Sequence, residues 1–85
     1  MSKTWLVTGS SSGIGKALVE QLLERGDRVA ATLRKPEALG ELKTRYGEQL
    51  WLAQLDVTDT AALRDVIQQA FTDLGRIDVV VSSAG

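Results

Sequence analysis

Cysteine and histidine are both absent from this 85-residue chain. Without cysteine there is no disulfide, no thiolate metal site and no thiol nucleophile, a composition that fits a reducing compartment. Without histidine, no Ser-His-acid triad and no His-ligated metal can be built from these residues, which leaves scattered carboxylates as the only hard-metal ligands. Charge of one sign is missing too: 10 Lys and Arg are mixed with 11 Asp and Glu, for a formal net charge of −1. Such a balance gives no electrostatic footprint for nucleic acid or an anionic membrane, and neither is expected as a partner. No apolar run approaches the roughly 18 residues that span a bilayer, and the start MSKTWLVTG lacks the long apolar stretch of a secretory signal. A cytoplasmic location is expected. Low-complexity tracts and internal repeats are also lacking.

What is present reads as one globular domain over residues 1–85, with 44% hydrophobic and 25% charged residues, ordinary proportions for such a domain. The run Thr4 to Thr8 is short and has no alternating polar face, the pattern of a strand buried on both sides. From Ile14 onward, Ala17, Leu18 and Leu22 return at helical spacing, and Gly26 sits where a C-terminal cap belongs. Val29 to Leu33 predicts a second strand. Pro36, with its fixed φ, suits the first turn of a helix carrying Leu39, Leu42 and Tyr46 and ended by Gly47. Leu50 to Leu55 predicts a third strand. Leu63, Val66, Ile67, Ala70, Phe71 and Leu74 then predict a helix closed by Gly75, and Asp78 to Ser82 a fourth strand.

The order β-α-β-α-β-α-β with short connections predicts an α/β fold with a parallel sheet and right-handed crossovers. It suggests half of a Rossmann-like, doubly wound nucleotide-binding fold, truncated after the fourth strand, with strand order 3-2-1-4. A ligand is then expected above the carboxyl ends of the first and fourth strands, where the winding reverses.

At that place stands TGSSSGIG, Thr8 to Gly15. A strand that turns sharply into a helix while leaving its backbone open to a ligand has no room for Cβ atoms, so Gly9 and Gly13 serve the turn and the close approach. Gly15 lets the helix pack tightly on the sheet, and the amides of the helix start face an anion. A pyrophosphate fits such a site. The competing reading is a tight strand-to-helix connection with serines capping the helix. The motif's position, directly after the first strand and opening the first helix, favours the ligand.

The spacing Gly-x-x-x-Gly-x-Gly resembles the cofactor motif of the short-chain dehydrogenase/reductase family, in its compact single-domain branch. Three further stretches follow in family order: LRKPEAL, LDVTD and DVVVSSAG. The resemblance implies that Gly9, Ser10, Ser11, Ser12, Gly13, Ile14 and Gly15 line a dinucleotide cofactor, that Asp56 and Val57 border its adenine, and that Ser83, Ala84 and Gly85 pass close to its ribose. Asp56 is also a candidate cap of the following helix, with Thr58 or Asp59 as alternatives. Ser82 and Ser83 replace the asparagines usual in the family, and their shorter side chains have less reach to tie the central strands together.

The choice of cofactor turns on the end of the second strand, where an acid binds the ribose 2′-hydroxyl and repels a 2′-phosphate. Here Leu33 stands at the position where NAD-preferring members usually carry Asp. Arg34 follows, a planar and permanently charged fork suited to phosphate oxygens, with Lys35 and Ser10 as further donors. NADP is therefore expected over NAD. A solvated turn with no ligand is the competing reading of Arg34 and Lys35.

By the same resemblance, the family's catalytic serine and Tyr-x-x-x-Lys pair follow the fourth strand. Tyr46 is the only tyrosine, and Leu50 stands four residues on. The 85 residues are thus expected to be catalytically incomplete: the N-terminal cofactor-binding portion of an NADP-dependent oxidoreductase whose complete form takes a small carbonyl or alcohol. The alternative is a non-enzymatic nucleotide-binding module, or one that pairs with another chain. Val79 to Val81 are expected to form an exposed strand edge, open to self-association.

Overall fold

Four parallel strands form one sheet in the order β3-β2-β1-β4, with β1 at Thr4–Thr8, β2 at Arg28–Leu33, β3 at Leu50–Gln54 and β4 at Val79–Ser82. The computed structural model describes residues 3–9, 13–56 and 58–82. Between the strands run α1 (Gly13–Glu24), α2 (Gly40–Tyr46) and α3 (Thr60–Leu74). The Rossmann-like α/β order and the 3-2-1-4 topology expected from the sequence are both present.

Side chains alternate across the strands, so neighbouring residues feed two different cores. On one face Val19, Leu22 and Leu23 of α1 and Leu42 of α2 pack with Val7, Val29, Ala31, Leu33 and Leu50. On the other face Leu6 and Ala30 meet Ala70 of α3, flanked by Trp51, Ile67, Leu74 and Ile77. The two faces are unequal: Ala70 is the one buried residue of α3, and Phe71 remains 47% exposed. Tyr46, half-buried, packs against the first cluster. This places it in the structural role its position on an apolar helix face suggests.

The strand ends differ from the expected ones by a residue, where ladder bonds outlast regular geometry. Strand β2 begins at Arg28, whose N–H donates to Lys3 O at 2.9 Å. Strand β3 ends at Gln54, although the Leu55 N–H still donates to Leu33 O at 2.9 Å. Strand β4 begins at Val79, with the Asp78 N–H donating to Thr4 O at 2.8 Å. The second helix enters through a 3-10 turn, Pro36–Leu39, before α2 proper. Lys35, ahead of the proline, is held out of helical geometry at φ −125° and ψ 89°, as the proline ring requires.

The amino edge of the sheet is closed by two carboxylates. Asp27, 5% exposed, accepts from the Lys3 N–H at 3.1 Å and the Trp5 indole N–H at 3.0 Å. Asp78 accepts from the Thr4 N–H at 2.8 Å and pairs with Arg76. These bonds favour the charged forms and hold both carboxyls below the usual range, led by the Lys3 N–H at Asp27 and the Thr4 N–H at Asp78. Gln49, just ahead of β3, adds a tie to the end of α1 and to the turn before β2, its amide donating to Leu23 O and Asp27 O at 2.9 Å each.

Candidate functional site

Because all four strands run the same way, their carboxyl ends share one edge, and the sequence-predicted residues follow directly from it. Across that edge stand Asp56 after β3, Arg34 after β2 and Gly9 after β1, with Ser82 closing β4 beside Thr8. Ser10, Ser11, Ser12, Val57, Ser83, Ala84 and Gly85, all expected to line a cofactor, lie outside the described residues.

Gly9 turns the chain out of β1 at φ +70°, a conformation that costs an L side chain about 1–2 kcal/mol and glycine nothing. Four residues later Gly13 starts α1, followed by Ile14 and the buried Gly15. The first turn of α1 holds no acidic residue and includes Lys16. The positive end of a helix dipole therefore opens toward the carboxyl edge with no carboxylate of its own first turn against it. Helix α3 differs. Asp59 caps it, accepting from the Ala62 N–H at 3.0 Å, so its own carboxylate takes up the donor an anion would use.

The cap of α3 is thus Asp59, one of the three candidates read from DVTDTAAL. Asp56 closes a tighter turn instead: its Oδ1 accepts from the Thr58 N–H at 3.0 Å and the Thr58 hydroxyl at 2.8 Å. That carboxyl lies below the ordinary carboxylate range, held there by the Thr58 N–H and hydroxyl and, behind them, the Arg34 charge. Arg34 Nη2 stands 3.9 Å from the same Oδ1, with the arginine side chain 71% exposed and the aspartate 50%.

Leu33 is 1% exposed and belongs to the core on the α1 and α2 face. The last residue of β2 therefore presents hydrocarbon to the interior, and the first charge beyond it is the Arg34 cation. Thr58 was not expected as the holder of Asp56; the Asp-x-Thr spacing carries that signal, since Asp side chains bond the backbone two residues on. Among the described residues, no group of three or more acids is placed to hold a metal ion, and no helix is long and apolar enough to cross a membrane.

Strand β4 is exposed less evenly than a fully open edge would be. Val80 is 62% exposed, whereas Val79 and Val81 are half-buried, Val81 against the α1 and α2 core. Period-2 alternation explains the difference: Val80 shares a face with Leu6, where α3 covers little of β4.

A family model for short chain dehydrogenases matches residues 3–85. The oxidoreductase BOA17 of Botryotinia fuckeliana is 44% identical over 86 aligned residues, covering 100% of this chain and 31% of that protein. The NADP-dependent 3-hydroxy acid dehydrogenase YdfG of Escherichia coli is 38% identical over 80 residues, covering 94% and 32%. The crystal structure of a short-chain dehydrogenase from Streptomyces avermitilis superposes with a TM-score of 0.95 at 41% identity, over 100% of this chain and 31% of that one. The chain spans about a third of the length of the curated relatives it matches.

Proposed function

The chain belongs to the short-chain dehydrogenase family, and we propose that it forms the dinucleotide-binding part of an oxidoreductase that prefers NADP and acts on a small carbonyl or alcohol. When bound, the nicotinamide supplies the hydride acceptor or donor. The residues of this chain bind and orient the dinucleotide. Gly9 and the start of α1 receive the pyrophosphate, Arg34 receives the 2′-phosphate, and Asp56 borders the adenine. Ser10, Ser11, Ser12, Val57, Ser83, Ala84 and Gly85 complete the same surface in this reading.

The observation that carries the preference is the end of β2. Leu33 is turned into the core and offers no carboxylate to a ribose 2′-hydroxyl, while Arg34 projects from the same edge as the Gly9 turn. A planar guanidinium there matches phosphate oxygens. The NADP named for YdfG points the same way. The names of BOA17 and YdfG are those of enzymes, which favours an oxidoreductase over a non-enzymatic nucleotide-binding module.

The test is titration of NADPH and NADH into the purified protein and its Arg34→Ala variant. Hydrogen bonds to charged groups contribute about 1.5–3 kcal/mol, so NADPH affinity is expected to fall by roughly ten- to a hundredfold. NADH affinity is expected to stay within about twofold, because a ribose hydroxyl makes no comparable demand on the arginine. An unchanged ratio of the two affinities refutes the assignment of Arg34.

A further inference from the structure

The acid missing from the end of β2 has a counterpart just beyond the neighbouring strand, β3. Leu33 pairs with Gln54, and the Leu55 N–H donates to Leu33 O at 2.9 Å, so β2 and β3 release their chains side by side. Arg34 and Asp56 emerge there with Nη2 and Oδ1 3.9 Å apart. Asp56 is not free to swing away, since the Thr58 N–H and hydroxyl both hold that oxygen. We propose that Asp56, positioned by Thr58, is a specificity-determining residue that restrains the preference for a 2′-phosphate by sharing the Arg34 guanidinium.

The inference rests on Arg34 being the group that receives the 2′-phosphate. A phosphate approaching Arg34 meets a cation already partly neutralised, and a fixed negative charge beside it. A ribose hydroxyl meets neither obstacle, so the carboxylate acts against the phosphorylated dinucleotide alone. The pair is long and exposed, and such pairs are too weak to lock an arginine into one geometry. The effect is therefore one of charge rather than of orientation. Two unit charges about 4 Å apart in water-rich surroundings shift an equilibrium roughly fivefold.

The experiment measures NADPH and NADH dissociation constants for the purified protein and for Asp56→Asn, Thr58→Val and Arg34→Ala, each at low and high ionic strength. Asp56→Asn keeps the side-chain oxygen for Thr58 and removes only the charge. It is expected to raise the NADPH-to-NADH affinity ratio roughly fivefold at low salt, with the gain shrinking toward ~1 M salt, where the Debye length is only ~3 Å. Thr58→Val, which keeps the shape and loses the hydroxyl, is expected to raise the ratio in the same direction by less. A purely adenine-binding or structural role of Asp56 moves both affinities together and leaves the ratio alone. If Arg34→Ala abolishes the preference while Asp56→Asn leaves the ratio unchanged or lowers it, the role of Asp56 is overturned and the cofactor reading stands. If Arg34→Ala leaves the ratio unchanged, the cofactor reading itself falls.

Discussion

Gly9 offers a direct route from backbone geometry to ligand affinity, because its positive φ belongs to the turn that joins β1 to α1. At φ +70° an alanine pays the left-handed penalty of about 1–2 kcal/mol. Part of this is offset by the stiffer unfolded chain that alanine brings, about 0.4–1 kcal/mol. Gly9→Ala is therefore expected to destabilise the fold by a net ~1 kcal/mol. With a urea slope near the low end for small domains, ~1 kcal/mol per molar, the unfolding midpoint falls by about 1 M. Gly9→Asn should lose less, since asparagine visits this region more readily.

Gly75 supplies the control. It caps α3 at φ +80° with nothing within 4 Å of an added Cβ, and it precedes the amino end of β4. Gly75→Ala carries the same backbone penalty at the opposite edge of the sheet. The two alanine variants are expected to show similar urea midpoints, while NADPH affinity drops in Gly9→Ala alone. The reasoning is refuted if Gly9→Ala leaves the midpoint unmoved, or if Gly75→Ala weakens NADPH binding as much as Gly9→Ala does.

Asp59→Ala removes the side-chain cap of α3 and should destabilise by ~1 kcal/mol, read as a melting temperature lower by roughly 4–8 °C; Asp59→Asn should restore most of it. Leu39→Ala, at a residue with 0% exposure in the main core, should lose about 2–5 kcal/mol. That is a large share of what an 85-residue domain has, about 4–13 kcal/mol at 0.05–0.15 kcal/mol per residue, and the denaturation midpoint should fall accordingly. Asp27 and Asp78 have carboxyls below their ordinary values, so their contribution is complete above the unfolded value of about 3.9 and is lost as pH falls through the lower folded values. Asp27→Asn should therefore melt lower than the unaltered protein at neutral pH, with the gap closing below about pH 4. A gap equal at both pH values would show that the charge on Asp27 is not what holds Lys3 and Trp5.

The sheet was legible in the sequence because each element announced itself by a separate local rule. Short apolar runs marked the strands, and glycines at 26, 47 and 75 stand at positive φ after each helix, at +90°, +56° and +80°. The glycine after β1 likewise pointed to a turn that needs left-handed backbone. Which acid in DVTDTAAL caps α3 was not legible, because three oxygen-bearing side chains compete within four residues and only the backbone path selects Asp59. The uneven burial of α3 was hidden for a related reason. Its apolar spacing is regular, but spacing reports one face of a helix and not how much of that face a neighbour covers.

The Arg34 and Asp56 approach was out of reach for a more basic reason: the two residues are 22 apart in sequence and meet only through parallel register. That register has a consequence for how the molecule divides its work. Carboxylates at the amino edge, Asp27 and Asp78, take backbone N–H groups of Lys3 and Thr4 and so fasten β1 to the chain before β2 and before β4. At the carboxyl edge, Asp56 takes its bonds from Thr58 in its own turn and fastens no second strand. Its nearest foreign charge is a cation that is itself exposed. Charge at one edge is committed to holding strands together, and at the other it stays near the surface, where a ligand phosphate can compete for it. Substitutions of Asp27 or Asp78 should accordingly act on stability first and lower NADPH and NADH affinity together, whereas substitutions of Arg34 or Asp56 should leave the melting temperature nearly in place and change the ratio of the two.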